Sequence, residues 1–175
     1  GRLDADKKLI YLLDTNDAST LASGGAKGRG HYELLGPNAR DYISRSGTFF
    51  LQDLIKSTIV LFKYDNNEIK AINNFNIKQK SPGCVIQGFK ALSDSVFVIK
   101  VDDVVPPYSC YLSIVNSRNE TLDSLQIYEL DSKEINHSLI RQLEVSIALS
   151  PNRKNLIVCN GRFNHLTKYG LDDNK

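Results

Sequence analysis

Apolar residues recur along this chain in short bursts separated by Asn, Asp, Ser, Gly and Pro, the rhythm of strands and turns. Leu9-Ile10-Tyr11-Leu12-Leu13, closed by Asp14-Thr15-Asn16-Asp17, predicts a buried strand ending in a turn. Thr48-Phe49-Phe50-Leu51 and Thr58 to Tyr64 predict two more, and Asp65-Asn66-Asn67 is turn chemistry leading into Ile69-Lys70-Ala71-Ile72. Further strands are expected at Cys84-Val85-Ile86, Ser95 to Val101, Cys110 to Val115 and Leu125 to Leu130. Near the end, Val145 to Leu149 alternates, Ser150-Pro151-Asn152-Arg153-Lys154-Asn155 turns, and Leu156-Ile157-Val158-Cys159-Asn160 runs apolar. A third strand follows at Leu166 to Asp172.

Three segments depart from that rhythm. Residues 18–37 are Ser, Thr, Gly and Lys/Arg with little apolar content, which predicts a long Gly-rich basic loop. Asn38 is placed to cap a short helix presenting Ala39, Tyr42 and Ile43 and ending at Ser46-Gly47. Asp131-Ser132-Lys133-Glu134 has the form of a capping box, with Ile135, Leu139, Ile140 and Leu143 at helical spacing; a short helix, an irregular connection and a strand all fit there.

The order strand, Ser-Pro turn, strand, Asn, loop, strand over residues 143–172 resembles one blade of a β-propeller of the WD-repeat or YVTN type. Three tyrosine-bearing strands ending in acid give an uneven internal repeat: Phe62-Lys63-Tyr64-Asp65, Ile127-Tyr128-Glu129-Leu130-Asp131 and Lys168-Tyr169-Gly170-Leu171-Asp172. The resemblance implies an all-β, antiparallel fold of β-propeller-like blades. Blades of about 40–45 residues allow at most four in this length, so part of a larger propeller is expected. Residues 1–175 then form a single β-rich domain or propeller portion. The chain holds no Met, and its Gly1-Arg2 start fits a processed or excised piece.

Composition narrows the function classes. With 175 residues, 41% hydrophobic and 24% charged, the chain can fill one core and belongs to the globular class. Its 22 basic and 20 acidic residues leave +2, which argues against a surface built throughout for nucleic acid or an anionic membrane. The apolar runs are far shorter than the roughly 18 residues that span a bilayer, so no membrane insertion is expected. Cys84, Cys110 and Cys159 are widely spaced and odd in number, the look of buried thiols in a reducing cytoplasmic or nuclear compartment. Sequons at Asn119-Glu120-Thr121 and Asn136-His137-Ser138 keep secretion as the alternative.

Candidate chemistry is sparse. Gly24-Gly25-Ala26-Lys27-Gly28-Arg29-Gly30 is the stretch suited to an anion, because glycines let backbone N–H groups approach a phosphate. It matches neither phosphate motif, lacking a Gly-Lys-Ser/Thr ending and placing Glu33 where a third glycine is needed. Lys27 and Arg29, widened by Arg40 and Arg45, are the candidate anion or nucleic-acid contacts. His31, His137 and His165 are isolated and no Cys-x-x-Cys occurs, so no metal is expected. Cysteines beside apolar strands predict inert thiols, and paired acids after strands read as turn formers, so neither catalytic residues nor a cofactor are assigned.

What remains is display. The reading is a non-catalytic protein–protein interaction scaffold, a propeller subunit or segment of a larger assembly with other protein subunits as partners. Pro106, Pro107 and Tyr108, with the 18–37 loop, are the candidate partner contacts. The alternatives are a propeller-type hydrolase or lactonase, implied by the YVTN resemblance, and nucleic-acid contact through the basic loop.

Overall fold

The computed structural model describes residues 8–43, 47–77, 83–105, 107–130, 145–160 and 165–171. Every regular element among them is a strand, and the backbone gathers into two compact units, Gly1–Lys78 and Gln79–Lys175. The fold is all-β and antiparallel, built from β-propeller-like blades.

The first unit holds β1 (Ile10–Leu13), β2 (Thr20–Gly24), β3 (Pro37–Ile43), β4 (Thr48–Asp53), β5 (Thr58–Asp65) and β6 (Glu68–Asn76), in the spatial order β1-β2-β6-β5-β4-β3. Strands β3 to β6 form a four-stranded meander, the form of a propeller blade. The β5–β6 turn carries Asn66 and Asn67 at φ 50° and 62°, left-handed at both central positions as a type I′ hairpin requires. Beyond β6, the β1–β2 hairpin attaches through a parallel bridge, Gly24 to Ile69, and a second parallel bridge joins Lys27 to Leu34 outside the strands.

Central strand β5 is buried on both faces. Val60 and Phe62 point to a cluster with Ala22, Leu34 and Ile69, and Phe62 stacks on Phe49 at 5.4 Å and 12°. On the other face, Ile59 and Leu61 lie across from Phe75 and Phe50, all buried. Each such side chain contributes roughly 1.5–3 kcal/mol through burial.

The second unit holds β7 (Cys84–Ala91), β8 (Val96–Asp103), β9 (Tyr108–Asn116) and β10 (Thr121–Leu130) as another meander, and β11 (Val145–Leu149), β12 (Asn155–Asn160) and β13 (His165–Gly170) as a three-stranded sheet. Val98, Cys110 and Leu112 of the first sheet pack with Val145, Leu156 and Val158 of the second in one core. Arg153, in the β11–β12 turn at φ 58°, donates a guanidinium N–H to the Ala91 carbonyl at the end of β7 and ties the sheets at their rim.

Pairing registers reveal a repeat. In the meanders that start at β3, β7 and β11, the first residue of the opening strand stands opposite the last residue of the next: Pro37 opposite Asp53, Cys84 opposite Asp103, Val145 opposite Asn160. An acid or its amide closes the second strand every time. The tyrosine repeat expected from sequence has another register, since Tyr64 and Tyr169 lie on third strands and Tyr128 on a fourth.

Two expectations are corrected. The helix expected from Asn38 is strand β3, because Ala39, Arg40, Asp41, Tyr42 and Ile43 pair in ladder with β4; sheet pairing outweighs a local cap. Residues 18–37 are not one loop, since Thr20–Gly24 is strand β2, with Ala22 buried against the β5 core. The possible helix at 131–143 lies outside the described residues.

The Asp53 carboxylate, fully buried, receives four backbone N–H groups: Leu35 at 2.5 Å, Gly36 at 3.2 Å, Ile55 at 3.0 Å and Lys56 at 3.1 Å. Asp53→Ala orphans these donors and is expected to cost about 3 kcal/mol. Asp53→Asn, which turns an amide N–H toward that of Leu35, is expected to cost about 2 kcal/mol. Urea midpoints at unchanged m-value measure both.

Candidate functional site

Each unit carries its own candidate contact corner, where the second strand of its meander turns into the third. In the first unit, Asp53 ends β4 and its Oδ1 closes a tight turn by accepting Ile55 and Lys56 N–H. The Leu54 N–H donates to the Gly36 carbonyl at 3.2 Å. That corner pushes Leu54 and Ile55 outward, 38% and 69% exposed, with Ile55 lying over Gly36. A Cβ on Gly36 would stand 2.8 Å from Ile55 Cδ1, so glycine lets the aliphatic chain settle there.

The second unit repeats this. Val104 N–H donates to the Gly83 carbonyl at 3.0 Å, Val105 lies over Gly83, and Val104 and Val105 are 45% and 52% exposed. Here the acid uses side chains: Asp103 Oδ1 accepts the Cys84 thiol at 2.8 Å and Oδ2 the Ser109 hydroxyl at 3.1 Å. Asp103 thereby fastens β7, β8 and β9 together. Tyr111 Oη lies 3.6 Å from Cys84 Sγ, and burial, then that thiol contact, pushes the Tyr111 phenol upward.

On the opposite face, Lys100 and Asp102 form a largely buried ion pair at 3.2 Å beside fully buried Cys110. Burial first, then the Asp102 charge, raises the Cys110 thiol far above its ordinary value of 9.0. Burial and the same neighbours raise Tyr128. Both shifts favour the protonated, neutral forms of Cys110 and Tyr128.

Lys27 and Arg29 are exposed on the β2–β3 connection, but the backbone around them is already engaged. Gly30 N–H donates to Glu33 Oε2 at 2.7 Å and Gly28 N–H to the Leu34 carbonyl at 3.1 Å. Lys56 Nζ bonds the Gly30 and Glu33 carbonyls, both at 2.7 Å, and Asn74 Nδ2 bonds the His31 carbonyl. The chain's own Glu33 carboxylate thus takes a glycine-loop N–H that an anion would need. An open cleft of about 500 Å³ beside it is lined by Lys8, Tyr32, Glu33, Glu68 and Lys70, with the last two paired at 2.5 Å.

Of the other candidates, Arg40 lies on β3 opposite Leu51, and Arg45 and Pro106 lie outside the described residues. Pro107 is exposed and half-buried Tyr108 opens β9, just past the Val104–Val105 corner. Sequence reasoning named the pair Asp102-Asp103 only as a turn former after a strand, and it did not single out Asp53, Leu54, Ile55, Val104 or Val105. The signal was present: a Gly before one strand, then Asp-aliphatic-aliphatic after the next, as Gly36 with Asp53-Leu54-Ile55 and Gly83 with Asp103-Val104-Val105.

No protein-family model and no curated protein matches the sequence. Among solved structures the chain is similar to a 6-phosphogluconolactonase-like protein from Bacteroides uniformis, at 12% identity and TM-score 0.49, over 93% of this chain and 43% of that one. It is also similar to apo AztD from Citrobacter koseri, at 12% identity and TM-score 0.34, over 93% of this chain and 57% of that one. The chain spans about half the length of these structures.

Two outcomes follow for the thiols. Native alkylation is expected to label half-buried Cys159 first, and buried Cys84 and Cys110 only in denaturant, as peptide mass spectrometry reads. Because the folded Cys110 thiol binds its proton more tightly than the unfolded one, stability is full below pH 9.0 and falls as pH rises above it. Cys110→Val should make that alkaline decline shallower in denaturation midpoints taken between about pH 8 and 11.

Proposed function

We propose that the chain is a non-catalytic protein–protein interaction scaffold whose blade corners display aliphatic side chains to partner subunits. The observation that supports this is the recurrence of the Leu54–Ile55 pair at Val104–Val105, each exposed at an equivalent corner and each preceded by a hydrogen-bonded aspartate. Exposed aliphatic residues cost solubility when free, and holding them on a fixed backbone removes much of the ordering entropy a partner must otherwise supply. Pro107 and Tyr108 extend the second corner with a rigid turn residue and an amphipathic ring.

This reading ranks above anion capture at Lys27 and Arg29, because the glycine-loop N–H of Gly30 is committed to Glu33. It concerns surface contacts and needs no membrane; among the described residues no helix is long and apolar enough to cross one.

Proximity labelling from the chain in its native cells, repeated with Ile55→Asp and Val105→Asp together, tests it. The labelled partner set should fall at least tenfold with the double variant while circular dichroism stays that of the parent, and should persist with Lys27→Glu and Arg29→Glu. A partner set indifferent to the corner charges but lost with the loop charges would move the function to the basic loop. Turnover of a sugar lactone by the purified chain would overturn the non-catalytic part.

A further inference from the structure

Strand β1 ends its sheet, pairing with β2 on one side and with no other described strand on the other. Its sequence, Lys8-Leu9-Ile10-Tyr11-Leu12-Leu13-Asp14, carries none of the devices that blunt an edge: no proline, no charge inside the strand, no inward-pointing acid. Leu9, Tyr11 and Leu13 are 36%, 56% and 49% exposed and alternate with the more buried Ile10 and Leu12, so one face of the edge is an aliphatic–aromatic stripe. Leu21 on β2, 44% exposed, adds to it.

Backbone direction follows from one bond. Leu9 N–H donates inward to the Gly25 carbonyl at 3.1 Å, which makes Leu9 and Tyr11 the residues bonded to β2. The N–H and C=O of Ile10 and Leu12 therefore point outward, away from β2. An antiparallel copy of the same strand that pairs these outward groups places Ile10 opposite Leu12 and Tyr11 opposite Tyr11 on a two-fold axis. That register puts Leu9 across from Leu13 and Lys8 across from Asp14, twice over. Hydrogen-bond phase, apolar stripe and charge all close on themselves in one arrangement.

We infer that β1 is a homodimerisation edge, pairing antiparallel with β1 of a second copy of this chain about an axis through Tyr11. The inference is independent of the corner residues, since none of them lies on β1. Its small edge falls below the roughly 1,200 Å² of a standard specific interface, which puts the dimer in the weak class and sets the concentrations needed to see it.

Sedimentation equilibrium of the chain from about 1 to 200 µM should show twice the chain mass at the upper end. Tyr11→Lys, which sets two ammonium groups face to face on the axis, should weaken association at least tenfold. Lys8→Glu should weaken it as well, and Lys8→Glu with Asp14→Lys should restore it, a rescue that misfolding cannot mimic. Tyr11→Cys tests the register. A non-hydrogen-bonded antiparallel pair holds Cα atoms at about 4.5 Å, within disulfide reach, so this variant alone should give an oxidised covalent dimer, whereas Ser23→Cys should not. A chain that is monomeric throughout this range, or a dimer indifferent to Tyr11→Lys and the charge swap, overturns the proposal.

Discussion

A single buried carboxylate determines the shape of the first unit. Asp53 gathers N–H groups from two chain segments, Leu35 and Gly36 entering β3 and Ile55 and Lys56 leaving β4. Without that acceptor, neither segment has a reason to turn where it does, because these donors belong to no strand ladder. The constraint then propagates. Lys56, fixed by its own backbone bond to Asp53, extends its ammonium to the Gly30 and Glu33 carbonyls, so the long β2–β3 connection is fastened at a second point. Leu34 is thereby set into the β5 core at 0% exposure.

The second unit meets the same demand with other chemistry. Asp103 stands where Asp53 stands in the repeat, yet its oxygens take a thiol and a hydroxyl in place of amides. Both solutions keep the backbone bond from the residue after the acid to the glycine before the first strand, Leu54 to Gly36 and Val104 to Gly83. What recurs is the corner geometry; the side-chain partners of the acid vary around it. Such drift is the reason a repeat read from identical residues, as with the three tyrosines, lands on strands that do not correspond, while the pairing register aligns the blades.

Strands were legible wherever an apolar run was long enough to be buried on two faces, as in Thr58 to Tyr64 and Val96 to Val101, because burial alone then specifies the element. Two were hidden, one by its small residues and one by a start that reads locally as a cap. Thr20–Gly24 offers only Leu21, Ala22 and Gly24 to a hydrophobicity reading, and Pro37–Ile43 begins on Pro-Asn, which locally reads as a cap. Both exist because a neighbouring strand supplies hydrogen-bond partners, information that no local window holds. The candidate site was hidden for a related reason. Asp53-Leu54-Ile55 looks like a turn after a strand, and its distinction lies in four donors, two of them some 17 or 18 residues away in the chain.

The basic loop shows how charge composition and charge placement part company. Lys27 and Arg29 make the segment positive on paper, but Glu33 folds back on the glycines and takes the Gly30 N–H, while the Gly28 N–H goes to the Leu34 carbonyl. An external phosphate would compete with this intramolecular carboxylate for the Gly30 N–H. The same logic is why we propose the corners and the β1 edge as contact surfaces. There much of the aliphatic surface of Ile55 and Val105 stays exposed and the backbone of Ile10 and Leu12 faces away from β2, so free energy of contact is still to be gained from a partner.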